Sequence, residues 1–319
     1  MKCSLVLSEQ GMFSLASAGV TTGWLRAWLM AAGAASVHVE WLHHDDWRHD
    51  LADWQLFVGQ SDELEYIHRI LSQDHVISSF KLDNPDRQGC CFRRGEHTAV
   101  LIPVGDVVFQ RHHYLTCFNR GDVMRPLYVC SGEAQRLPLE AGLSASLEPP
   151  ADASVLLNDT GLMIEEQVIA LLRRRGLGLR SVESCTAGAL VARLCRVPGA
   201  SAVIDRSWVT YSNQAKHELV AVPEACIASH GAVSKAVVCA MAEGAIAEGV
   251  VSVAVSGVAG PAGGTPDKPV GTVWIAVAQP GQPTISRRLQ LSGSRHDIQA
   301  CSVVAVLQLL IAQLEAGAM

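Results

Sequence analysis

The sequence predicts an α/β protein, with a C-terminal α/β/α sandwich joined to a smaller, diverged α/β N-terminal domain. Three observations carry that expectation. Beyond about residue 158, apolar runs of strand length alternate with amphipathic helical stretches. A stretch of small residues bearing Pro138, Pro149 and Pro150, LPLEAGLSASLEPPADASVLL, reads as a linker. The chain of 319 residues also exceeds the roughly 250–300 that one core fills efficiently. The expected divisions are 1–136, a linker over 137–157, and 158–319.

In the N-terminal part the alternation runs through 5–7 (LVL), a helix over 22–33, then strands over 36–42, 53–59 and 98–105. In the C-terminal part Asp159-Thr160 is positioned to cap a helix through Glu165, Val168, Leu171 and Leu172 that stops at Gly176. Strand-like LGLRSV follows, then a helix from Ala187 to Cys195 and a strand from Ser207 to Tyr211. Helices over 214–220 and 235–247 lead to the apolar strand Val250–Val255. Strands over 271–278 and 285–291 precede a last helix, whose start, Ser294-Arg295-His296-Asp297, has capping-box spacing with Asp in place of Glu.

With 49% apolar and 18% charged residues, burial outweighs chain entropy and a globular fold is expected. A formal net charge of -6 supplies no basic field for a phosphate polymer, which argues against nucleic acid and for a small-molecule partner. No apolar run of about 20 residues is read, so no membrane partner is expected. The ten cysteines show no CxxC and no disulfide-framework spacing, which points to a reducing compartment, the cytoplasm.

Three clusters can carry chemistry. Glu183-Ser184-Cys185-Thr186-Ala187-Gly188 joins a strand to a helix start, where backbone N–H groups and the helix dipole favour an anion. Ser184 is a candidate nucleophile there and Cys185 its rival, while Ser184 or Thr186 could equally serve as a plain helix cap. Tyr211-Ser212-Asn213-Gln214-Ala215-Lys216 is a second strand-to-helix corner. With Asn213 as cap, Lys216 falls in the first turn, where dipole and burial both lower an amine pKa and make a general base; the bland alternative is a surface lysine. The third, Ser256-Gly257-Val258-Ala259-Gly260-Pro261-Ala262-Gly263-Gly264-Thr265, follows the most apolar strand and suits either an anion cradle or an ordinary turn. It is neither a GK[ST] phosphate loop nor GxGxxG. His43-His44-Asp45-Asp46 with His49 admits a metal reading, but adjacent loop residues seldom converge on one ion, and no metal is expected. The pairs Cys90-Cys91 and His112-His113 read as incidental.

Taken in order, ESCTAG (183–188), VPGAS (197–201), VTYSNQAK (209–216), HGAVS (230–234), MAEGA (241–245), SGVAGPAGG (256–264), KPVGTVWIAV (268–277) and GSR (293–295) resemble the CinA C-terminal domain family. The resemblance implies a nicotinamide-nucleotide amidohydrolase that converts nicotinamide mononucleotide and water to nicotinate mononucleotide and ammonia in pyridine nucleotide salvage, without cofactor or metal. It implies Ser184 as nucleophile, Lys216 as its base and Tyr211 beside them. Substrate contacts are expected from Thr186, Ala187, Gly188, Ser256, Gly257, Gly260 and Arg295. Homodimers through this domain are a further expectation. Two departures from the family pattern stand out: Ala187 replaces a usual Gly, which should resist positive φ, and Ser256 replaces a usual Thr. The Ala187 departure favours a rival reading, a nucleotide-binding or regulatory protein that has lost turnover. A metal-dependent phosphate-ester hydrolase is a third reading and lacks the acidic cluster to hold an ion. Full-length CinA proteins carry a longer, molybdopterin-binding-like N-terminal domain; residues 1–136 lack its usual Gly-Asp/Thr-Glu-Leu-Leu opening and are expected to be an inert remnant serving packing or oligomerisation.

Overall fold

The structure is a computed structural model that describes residues 1–7, 21–41, 53–59, 61–73, 75–81, 88–103, 118, 127–130, 137–140, 143–146, 155–158 and 162–316. The His43–His49 cluster, His112-His113 and the expected cap Asp159-Thr160 lie outside these residues.

The N-terminal part contains β1 (Lys2–Leu7), α1 (Thr22–Ala31), β2 (Ser36–Trp41), β3 (Trp54–Gly59), α2 (Ser61–Leu71), β4 (Val76–Lys81), β5 (Gln88–Arg94) and β6 (His97–Pro103). Its sheet has the order β2-β1-β3-β6-β5-β4, with the first four strands parallel and the last two antiparallel. α1 starts where the Thr21 hydroxyl accepts from the Trp24 N–H, a side-chain N-cap. Cys90 and Cys91 are successive residues of β5 and so face opposite sides of the sheet.

A second, four-stranded sheet is built from β7 (Leu127–Cys130), β8 (Leu137–Glu140), β9 (Leu143–Ser146) and β10 (Val155–Leu157), in the order β10-β7-β9-β8. The stretch 137–157, read as a linker, thus supplies three of its strands. The proline signal masked a short period-two pattern, and Pro138 fits because β8 is an edge strand, where a missing N–H costs no ladder bond.

The C-terminal part runs α3 (Ile164–Arg175), β11 (Gly178–Glu183), α4 (Ala189–Leu194), β12 (Ile204–Val209), α5 (Asn213–Val220), α6 (Glu224–His230), α7 (Lys235–Glu243), β13 (Val250–Gly257), β14 (Thr272–Ala278), β15 (Ile285–Gln290) and α8 (Arg295–Ala316). The sheet order is β12-β11-β13-β14-β15, parallel through β12, β11 and β13 and antiparallel thereafter. Strand periodicity sorts the two faces. Val251, Val253, Val255, Val273, Ile275 and Val277 join one core with α3, α4 and α8. On the other face Ala254, Ala276 and Ala278 pack with Val237, Val238 and Met241 of α7. The expected α/β/α sandwich is what forms.

Local signals explain the element ends. Gly176 closes α3 in the left-handed conformation at φ 63°. The expected capping box is present at α8: the Ser294 N–H donates to the Asp297 carboxylate at 2.7 Å, and the Asp297 N–H to the Ser294 hydroxyl at 3.3 Å. α8 is 22 residues long and apolar enough in composition to cross a membrane, contrary to the expectation that no such run exists. Its Ile298, Val304, Val306, Leu307 and Leu310 are buried in the protein's own core.

Candidate active site

The carboxyl ends of β11, β12 and β13 lie side by side, with β11 in the middle, the place where an open α/β sheet leaves a crevice for ligands. Ser184 follows β11 directly, Thr210 and Tyr211 follow β12, and Ser256-Gly257 end β13. Residues 32 apart in sequence therefore meet: the Lys216 Nζ lies 3.1 Å from the Ser184 Oγ.

The Lys216 side chain is 1% exposed. Its Nζ also donates to the Thr210 carbonyl at 2.7 Å and to that of Ser212 at 3.5 Å. Burial lowers its pKa from the ordinary lysine value; the neighbouring Cys185 opposes this more weakly. Once deprotonated, the amine has two N–H bonds and one lone pair. Two partners are carbonyls that can only accept, so in that state the lone pair is left for the Ser184 hydroxyl proton.

Cys185, the rival nucleophile, is 4% exposed, and burial pushes its thiol up to about 12, so the thiolate is disfavoured. Its dipole argument fails for a second reason. The fully buried Glu183 carboxylate accepts from the N–H groups of Gly188, Leu190 and Val191, each at 3.0 Å, and so already occupies the N-terminus of α4. Glu183 had no assigned role in the sequence reading. The signal was there, an acid just ahead of a short glycine-bearing helix start. The Ala187 N–H is likewise committed, to the Ser184 carbonyl at 3.2 Å.

Ala187 corrects the expectation drawn from its Cβ: it adopts φ 52° in the left-handed region, and Gly188 follows at φ 95°. The turn forms despite a strain of about 1 kcal/mol. Thr186 is buried, with its hydroxyl unpaired among the described residues.

The N-cap of α5 also differs from expectation. Ser212, not Asn213, caps it, its hydroxyl accepting from the Ala215 N–H at 3.0 Å. Asn213 is the first helical residue. Its side chain has no hydrogen-bond partner among the described residues.

A small pocket of about 190 Å³, open to solvent, joins these groups. Of the expected residues, Ser184, Lys216, Tyr211, Ser256, Gly257 and Arg295 line it, together with Cys185, Asn213, Ala232, Val233 and Ala259. Thr186, Ala187, Gly188 and Gly260 are not on its lining. Gly260 instead serves through its carbonyl, which accepts from the Arg295 guanidinium at 2.9 Å. Arg295 also donates to the Tyr211 hydroxyl at 3.0 Å, which links Tyr211 to the cationic group of the pocket it shares with Ser184 and Lys216. The buried Ser256 hydroxyl donates to the Ala232 carbonyl at 2.8 Å and ties the end of β13 to the turn before α7.

Residues 162–314 match the family model of the CinA C-terminal domain. The chain is 38% identical over 211 residues, 66% of its length, to a CinA-like protein of Mycolicibacterium vanbaalenii, covering 49% of that protein. It is 49% identical over 131 residues to a CinA-like protein of Akkermansia muciniphila, 40% of this chain and 32% of that one. The chain thus spans about half the length, or less, of these curated relatives. Among solved structures, competence damage-inducible protein A of Klebsiella pneumoniae is 38% identical over 48% of this chain and 95% of that one, with a TM-score of 0.46.

Proposed function

The chain belongs to the CinA family through its C-terminal domain, and on that premise we propose that it hydrolyses the carboxamide of nicotinamide mononucleotide to nicotinate mononucleotide and ammonia. The observation that carries this reading is the buried Lys216 amine 3.1 Å from the Ser184 hydroxyl at the wall of a pocket that also holds Arg295.

The lone pair of Lys216 takes the Ser184 proton as Oγ bonds to the carboxamide carbon. The resulting Lys216 ammonium returns that proton to the nitrogen, the C–N bond breaks and ammonia leaves. Water then attacks the acyl-enzyme, gives a proton to Lys216, and Oγ is released and reprotonated. The amides of Ala187 and Gly188 are spent within the turn, which leaves the N–H group of Cys185, on the pocket lining, as a donor for the oxyanion. Arg295, fixed by Gly260 and Tyr211, supplies the positive charge for the substrate phosphate, and one anchored anion also orients the reacting amide. The scheme calls on no metal or cofactor. The cysteine spacing, without a disulfide framework, supports a cytoplasmic location. A small nucleotide substrate, no nucleic acid or membrane partner, and self-association as a homodimer complete the reading.

The rival reading without turnover drew on Ala187, and that residue does enter the left-handed turn. Ammonia release from nicotinamide mononucleotide by the purified protein, beside Ser184→Ala and Lys216→Ala, tests the proposal. Release by the wild type alone is expected. A folded wild type that binds the mononucleotide without releasing ammonia selects the rival.

A further inference from the structure

We infer that Asn213 holds the nitrogen of the substrate carboxamide and sets the preference for an amide over an ester. This inference rests on the hydrolase reading and goes beyond it. Its starting point is how the polar side chains of the pocket are already committed. Lys216 donates to two carbonyls, the Ser256 hydroxyl donates to Ala232, and Arg295 is shared between Gly260 and Tyr211. Asn213 lines the same pocket, and its one structural duty, capping α5, is performed by Ser212. Its Oδ1 and Nδ2 are thus both open to a ligand.

Its position says which part of the ligand it meets. Asn213 precedes Lys216 by three residues on α5, and side chains at that spacing share one helix face, with Cβ atoms about 5–6 Å apart. Asn213 therefore stands beside the amine that must serve both the Ser184 oxygen and the departing nitrogen. A carboxamide offers two N–H donors, and Oδ1 accepts one of them. As Oγ adds to the carbon, the nitrogen lone pair ceases to be delocalised into the carbonyl and becomes basic. An N–H held by Oδ1 turns that lone pair toward the Lys216 ammonium, which protonates it before the C–N bond breaks. An ester presents an acceptor oxygen at the same place, to which Oδ1 gives no hydrogen bond; Nδ2 reaches it only with the Asn213 amide turned over, and it then orients no departing N–H.

The test compares kcat/KM for nicotinamide mononucleotide and for the methyl ester of nicotinate mononucleotide, in the wild type, Asn213→Ala and Asn213→Asp. The amide-to-ester ratio is independent of how much of each variant folds. Asn213→Ala should lower that ratio about tenfold, the worth of one hydrogen bond in the transition state. Asn213→Asp, which keeps an acceptor oxygen, should retain most of it. An unchanged ratio in Asn213→Ala, even with both rates reduced, overturns the inference while leaving the hydrolase reading intact. A wild type inert toward both substrates overturns the hydrolase reading and this inference with it.

Discussion

Two strand-to-helix corners meet at the pocket and solve the same problem of unpaired helix N–H groups in different ways. After β11 the solution is a charge: Glu183, fully buried, takes three N–H groups of the α4 start. After β12 it is a neutral hydroxyl, Ser212, which satisfies one N–H at the surface. The corners are also tied together. The Thr210 N–H donates to the Glu183 carbonyl at 2.8 Å, and the Thr210 carbonyl accepts from Lys216, which faces the residue next to Glu183. The difference teaches where the site can yield. Ser184, the proposed nucleophile, sits on a turn whose Ala187 and Gly188 N–H groups are taken internally, and Lys216, the proposed base, sits on a helix capped locally by Ser212.

The sharpest way to break this comparison is to remove the reacting groups themselves. Ser184→Ala and Lys216→Met should each lower ammonia release by more than about 1,000-fold. The acid limb of the wild-type rate should rise with pH as Lys216 loses its proton, because only the neutral amine accepts from Ser184. Stability follows the same sign. The folded pKa of Lys216 is depressed, so between it and the ordinary lysine value the unfolded chain binds more protons, and stability rises with pH across that window. Lys216→Met should flatten that rise in denaturant titrations at several pH values.

The next largest effect separates the two caps. Glu183→Ala strands three N–H groups, that of Leu190 fully buried, and should cost about 3 kcal/mol in chemical denaturation, whereas Ser212→Ala should cost about 1 kcal/mol. Equal losses would mean that the corners are not held differently. The smallest effect is a gain. Ala187→Gly relieves a left-handed alanine and should raise stability by about 0.5–1 kcal/mol with unchanged kcat.

Much of this was legible in the sequence because local signals agreed with the tertiary outcome. The C-terminal strands followed their apolar runs, and the Ser294–Asp297 box began α8 as its spacing indicates. The strands over 36–42, 53–59 and 98–105 formed with shifts of a residue or two. What escaped depends on tertiary placement. α2 and α6 were overlooked, since seven to eleven residues give few turns of period. The three strands that 137–157 gives to the second sheet were hidden by its prolines. At the site, the Ser184–Lys216 pair was readable from motif order, but its geometry needed β11 and β12 as neighbours. The roles of Glu183, Ser212 and Asn213 could not be apportioned from spacing alone, since Ser, Asn and acidic side chains compete for the same cap positions.

The account turns on the protonation of one amine. Following the side-chain NMR signal of Lys216 through a pH titration, with Lys216→Met for assignment, reads it directly. The structure predicts a midpoint below that of an ordinary lysine, shared by the alkaline rise of ammonia release. A Lys216 that titrates at or above the ordinary value would leave Ser184 without a base and contradict the mechanism.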